Sequence, residues 1–174
     1  MDDENAFAEL TKRYLKPVYN FVCRLSGSAH DAEDITQDTF LKAWKNLKKY
    51  RPEENFKTWI FTIARNTTID WFRKKKDHSF SEFETANSGN VITDTLADNS
   101  PLPNEILATA ENKDFADNLL KKLSPENREI LLLHYNNDLT FKEIAKILGK
   151  PLNTVKSQYR RALIVLKKTL IAPK

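Results

Sequence analysis

Residues 140 to 163 read TFKEIAKILGKPLNTVKSQYRRAL, from Thr140 to Leu163. Thr140 stands three residues before Glu143, the spacing of a capping box, in which the two side chains satisfy orphan amides at a helix start. Ile144, Ala145, Ile147 and Leu148 then give an apolar face to a helix of about eight residues. Gly149-Lys150-Pro151 stops that helix, and a longer one follows from about Asn153 to Lys168. A short helix, a break containing glycine and a longer helix form the helix-turn-helix pattern. At about 100° per residue, Val155, Tyr159, Ala162 and Leu166 fall on one side and pack on the first helix. Asn153, Ser157, Arg160 and Ile164 centre the opposite side, flanked by Thr154, Lys156 and Arg161. Arginine can make paired hydrogen bonds to guanine, whereas Lys156 is suited to phosphate. The N-terminal half of this helix is the part that enters a major groove. An αα-hairpin used for protein packing would share the two helices. The capping box, the turn and the one-sided basic face together favour DNA. Lys167 and Lys168 are equally explained by the dipole of the helix they end.

Upstream, Ser124-Pro125 is a helix start, with proline in the first turn. That helix carries Ile130, Leu131, Leu133 and Tyr135, and an earlier one carries Ile106, Ala110, Phe115, Leu119, Leu120 and Leu123. Residues 78–104 hold no Lys or Arg, have no sustained period and end in Pro-Leu-Pro. They read as an acidic flexible linker, because a structureless stretch that long is unusual inside one compact domain. The N-terminal part is again helical. Phe7, Leu10, Tyr14, Val18, Phe21 and Leu25 recur at helical spacing, with Pro17 expected to kink or split the helix. After Ser26-Gly27, Ser28 is a candidate N-cap with Asp31 at the third helical position. The second helix should bury Ala32, Ile35, Thr39, Ala43, Trp44 and Leu47. A third stretch, from near Phe56 to about Lys76, is dense in aromatic side chains. The expected architecture is all-α: two small helical domains, residues 1–77 and 105–174, joined by the linker 78–104.

Composition narrows the function. The net charge of +4 conceals a basic end: from Leu152 onward there are 6 basic residues and no acidic one. Such a concentration suits a polyanionic partner or a solvated helix face. The single cysteine, Cys23, excludes an internal disulfide and suits a reducing cytoplasm. MDDENAF does not read as a secretory signal, and no run approaches the roughly 18 apolar residues of a membrane span, so no direct membrane insertion is expected. His30, His78 and His134 lack metal-ligand spacing, and the 3 glycines cannot form a phosphate-binding loop. No cofactor, metal or enzymatic activity is expected.

With these residues in place, the chain resembles an extracytoplasmic-function (ECF) sigma factor of the sigma-70 family. DAEDITQDTFLKAW (Asp31 to Trp44) is similar to region 2.2, and FKTWIFTIARNTTIDWFRKKK (Phe56 to Lys76) to regions 2.3 and 2.4. Residues Leu123 to Leu163 resemble region 4. The resemblance implies that the first domain binds the clamp helices of the largest RNA polymerase subunit and opens the −10 element. The second would read the −35 element as duplex, with the polymerase flap as a further partner. Asp31, Asp34, Gln37, Asp38, Phe40 and Leu41 would face the polymerase; Asp31 also suits a helix N-terminus. Tyr50, Arg51, Asn55 and Phe56 match the base-capturing loop, with Arg65, Asn66 and Asp70 on the helix after it. Trp59, Ile60, Ile63 and Trp71 suit a core, while Tyr50, Asn55 and Asn66 remain open between base contact and structure. Arg73, Lys74, Lys75 and Lys76 form a run of cations whose phosphate contacts would make binding salt dependent. Gln158 and Leu163 stand where many relatives carry arginine, which leaves more to Arg160 and Arg161. The family also implies an anti-sigma factor as a partner and a cytoplasmic, nucleoid-associated protein. A self-sufficient regulator would need neither the acidic second helix nor the aromatic and basic third. A protein-only adaptor would need no basic recognition face.

Overall fold

A computed structural model describes the backbone of residues 2–51, 53–82 and 118–171, and the side chains of residues 4–51, 53–75 and 118–170. Among the described residues the regular elements are all helical. The chain divides into two units, Met1–Ala97 and Asp98–Lys174. The linker reading from residue 83 to 104, and the helix read around Ile106, Ala110 and Phe115, lie outside the described residues.

In the first unit, α1 (Asp2–Ser26) runs through Pro17 as one helix, so the split anticipated there does not occur. Val18, Phe21 and Val22 just beyond it are fully buried. Each burial is worth about 1.5–3 kcal/mol, enough together to exceed the roughly 3 kcal/mol cost of an interior proline. Gly27 ends α1 at φ 74°, a left-handed geometry that glycine tolerates. Its N–H donates to the Cys23 carbonyl at 2.8 Å. Ser28 caps α2 (Ala29–Lys45) by accepting from the Asp31 N–H.

The buried face of α2 comprises Asp31, Ala32, Ile35, Thr36, Thr39, Phe40 and Ala43. Trp44, expected in the core, is 42% exposed. Its register carries it off the Ala43 side, and its ring leans on Phe7 with centroids 5.2 Å apart. After a 3-10 turn (Leu47–Lys49), α3 (Phe56–Glu82) extends past the expected end near Lys76. Ile60, Phe61 and Ala64 of α3 are fully buried, and Phe61 meets Phe21 edge-on at 5.3 Å. Thr39 and Thr68 are also buried. Their hydroxyls donate to the carbonyls of Ile35 and Ala64, four residues back, which satisfies polar groups that would otherwise be stranded.

In the second unit, residues 118–121 are helical. Ser124 then caps α4 (Pro125–Leu131), with Pro125 in its first turn as the sequence implied. The helix widens into a π turn (Leu132–Asn136). That turn is tied to the next loop: His134 Nδ1 donates to the Leu139 carbonyl at 2.8 Å, and the Asn137 amide donates to the Leu132 carbonyl. Thr140 and Glu143 form the anticipated capping box at the start of α5 (Phe141–Leu148). Gly149, at φ 63°, turns the chain into α6 (Leu152–Ile171). Leu131, Leu133, Ile144, Ile147, Val155, Ala162 and Leu166 are among the side chains closing this core.

Candidate nucleic-acid interface

The two faces of α6 separate as helical geometry requires. Val155 and Ala162 are fully buried and Leu166 nearly so. Tyr159 is half-buried, and its hydroxyl shares a 2.6 Å hydrogen bond with that of Tyr135. Phe141 meets the Tyr159 ring at 5.0 Å and stacks on His134 at 4.6 Å. Burial, and then the hydrogen bond to Tyr135, push the Tyr159 phenol well above its usual pKa.

On the outer face Asn153, Lys156, Arg160 and Arg161 are exposed, with Ile164 56% exposed beside them. Lys156, Arg160 and Arg161 form no ion pair among the described residues. Thr154 and Ser157 are half-buried. The Ser157 hydroxyl donates to the Thr154 carbonyl at 2.9 Å, which leaves its oxygen lone pairs to accept. Gln158 points elsewhere: its amide donates to the Glu126 carboxylate at 2.7 Å. Lys150, in the turn, reaches the same oxygen at 3.2 Å. Glu126 therefore joins α4, the turn and α6, a bracing role that spacing alone did not disclose.

In the first unit the loop before α3 gathers Tyr14, Tyr50, Phe56 and Trp59. Phe56 lies 5.3 Å from Tyr14, 5.6 Å from Tyr50 and 5.5 Å from Trp59, centroid to centroid. At 7% exposure, Phe56 is the hub of this cluster and no open platform for a base, because three rings cover it. Tyr50 is half-buried, and its hydroxyl donates to the Glu54 carbonyl at 2.7 Å. Burial first, and then the charge of Glu54, raise its pKa. Asn55 is exposed, but its Oδ1 accepts from the Lys57 N–H at 2.9 Å and so starts α3. Arg51 and Asn66 are exposed and Arg65 is half-buried. Asp70 pairs with Arg73 at 3.0 Å. Ile69, which the sequence reading passed over, is 44% exposed immediately before Asp70. Lys74 is exposed, and the Lys76 side chain lies outside the described residues.

The second helix presents Glu33, Asp34, Gln37, Leu41 and Trp44 to solvent, with Leu41 57% exposed. Asp38 pairs with Lys42 at 2.9 Å. Two residues expected on this outer face turn inward. Phe40 is 8% exposed, because its register places it with the apolar side of α2. Asp31 is also enclosed, and Lys75 of α3 holds its carboxylate at 2.9 Å. Asp31 and Lys75, expected to serve polymerase and DNA respectively, thus meet each other. Trp44 is the outer-face residue that sequence periodicity missed. Among the described residues no group of three or more His, Cys, Asp or Glu side chains is placed to hold a metal, and no helix is long and apolar enough to cross a membrane.

Known proteins share both units. Residues 10–78 match sigma-70 region 2, and residues 116–166 match sigma-70 region 4. The chain is 32% identical to the ECF RNA polymerase sigma factor SigW of Bacillus subtilis, over 97% of this chain and 90% of that one. It is 31% identical to the RNA polymerase sigma factor YlaC of the same species, over 98% of this chain and 95% of that one. Among solved structures, the sigma factor RpoE from Bartonella quintana, in complex with the anti-sigma factor NepR, superposes with a TM-score of 0.74. It is 27% identical, covering 97% of this chain and 99% of that one. With region 2 and region 4 both present, and relatives matched over nearly their whole length, the chain belongs to the ECF group of the sigma-70 family of RNA polymerase sigma factors.

Proposed function

We propose that this sigma factor grips promoter DNA twice and docks on core RNA polymerase through α2. In α6, Asn153, Lys156, Arg160 and Arg161 contact the −35 duplex, with Thr154 and Ser157 at the margin. Arg51, Asn55, Arg65 and Asn66, followed by Arg73 and Lys74, track the opened −10 strand. Asp34, Gln37, Leu41 and Trp44 meet the polymerase clamp helices. The assigned boundaries are residues 1–82 for the first grip, since α3 continues to Glu82, and 105–174 for the second.

The observation that carries this reading is the outer face of α6. Lys156, Arg160 and Arg161 stand exposed, with no ion pair among the described residues, on a helix whose other face is anchored in a core. Unpaired cations on a rigid helix cost little reorganisation when they meet phosphates and base edges. The acidic and apolar outer face of α2 favours polymerase dependence over a self-sufficient regulator. The chain then contributes binding and positioning, and bond formation belongs to the polymerase. An anti-sigma factor is a further partner in this reading, since the similar sigma factor RpoE was solved with one. The chain itself would act on DNA inside the cell.

The test is transcription in vitro with purified core polymerase on a promoter library. The chain should direct specific starts. Asp34→Lys should lower output at limiting chain concentration by about tenfold, the equivalent of about 1.4 kcal/mol of docking energy. Absence of any specific start with the unaltered chain would sink the reading, and full output from Asp34→Lys would remove Asp34 from the docking surface.

A further inference from the structure

The run Arg73-Lys74-Lys75-Lys76 looks like four equivalent phosphate contacts, yet its cations have different surroundings. Arg73 pairs with Asp70 on its own helix, with both side chains largely exposed. Lys74 is exposed and forms no ion pair among the described residues. Lys75 crosses to another helix, where its Nζ lies 2.9 Å from Oδ2 of Asp31, 44 residues away in sequence. The Lys12–Glu9 and Lys42–Asp38 pairs, like Arg73–Asp70, each stay within one helix. The Asp31 pair joins α2 to α3.

Asp31 is firmly held. Its N–H is taken by the Ser28 cap, and Ala32 beside it is fully buried. Its side chain is 12% exposed, against 62% for Lys75. A carboxylate in the first turn of α2 is favoured by the helix dipole, but one so far removed from water also needs a counter-charge. Lys75 supplies it.

We infer that Asp31 is a positioning residue for the DNA-facing end of α3. It holds Lys75 against α2 and withdraws that cation from phosphate contact. Lys74, about 100° round the helix from Lys75, and Arg73, whose pair with Asp70 is open to solvent, are left as the phosphate contacts of this segment. The inference rests on the reading of α3 as a DNA grip. An ammonium paired with a carboxylate presents a dipole to a distant phosphate instead of a net charge, so it releases little counterion on binding.

The experiment uses the full chain assembled with core polymerase. The probe is a forked fragment of a promoter recovered from the library, titrated across a salt series. Lys74→Ala should reduce the slope of log affinity against log salt by about 0.7–0.9, the value of one phosphate. Lys75→Ala should leave that slope within about 0.2 of the unaltered value. Asp31→Asn should steepen it by about one phosphate, and Asp31→Asn with Lys75→Ala should restore it. A Lys75→Ala loss equal to that of Lys74→Ala would overturn the inference, as would an Asp31→Asn variant with no change in slope.

A second measurement needs no DNA. In a double-mutant cycle on unfolding, the equilibrium constant of the double variant should differ from the product of the single effects by about threefold or more. Independent effects would equally overturn the pairing. A holoenzyme that selects no promoter sinks the sigma-factor reading and leaves this cycle standing. A selected promoter contacted by Lys75 sinks the Asp31 inference alone.

Discussion

Tyr159 shows how one side chain links the recognition helix to the core beneath it. Its hydroxyl is bonded to that of Tyr135 at 2.6 Å, and burial raises its pKa in the folded chain. A tyrosine in the unfolded chain ionises near pH 10. The folded state therefore keeps a proton that the unfolded state loses. This contribution to stability is fully present below about pH 10 and is lost as pH climbs toward the raised folded value. Thermal melts between about pH 9 and pH 11 should show a steeper fall for the unaltered chain than for Tyr159→Phe. Parallel slopes would mean that Tyr159 titrates alike in both states. At neutral pH the same substitution should cost about 1 kcal/mol, the worth of one hydrogen bond. Phe40 and Trp44 carry a different lesson at this scale. Both are aromatic residues on α2, yet Phe40 is buried and Trp44 is 42% exposed, so residue type did not decide which of them faces solvent.

Among the elements, the helix-turn-helix depends on one backbone geometry. Gly149 sits at φ 63° between α5 and α6, and a Cβ added there would meet nothing within 4 Å. The cost of Gly149→Ala is therefore backbone strain without steric clash, about 1 kcal/mol. In urea the unfolding midpoint should fall while the slope of the transition stays constant. An unchanged midpoint would show that the turn relaxes out of the left-handed region. The capping box at Thr140 and Glu143 fixes the other end of α5, so local chemistry bounds that helix at both ends. Glu126 then braces the turn and α6 from α4 through Lys150 and Gln158. This gives Gln158 a structural place of its own.

For the molecule as a whole, division into two units predicts independence of the two DNA grips. Arg161 and Asn66 belong to different units and share no partner among the described residues. Their alanine variants should each weaken promoter binding, and in the double variant the losses should add within about 0.5 kcal/mol. A larger deviation in quantitative footprinting would mean that the grips communicate through polymerase or DNA. The sequence by itself determined the helical class, the caps at Ser28, Ser124 and Thr140, the glycine turn and the outward face of α6. Each of these depends on residues within a turn or two of one another, where backbone geometry is short-ranged. It also carried the family resemblance, because the motifs are contiguous. Only the tertiary structure decided that α1 continues through Pro17, that Phe56 is enclosed by three rings and that Asp31 faces Lys75 across 44 residues. Those outcomes depend on what a neighbouring helix brings to the same place. Helical periodicity can name a face, but packing against α1 and α3 determines which edge of that face is covered.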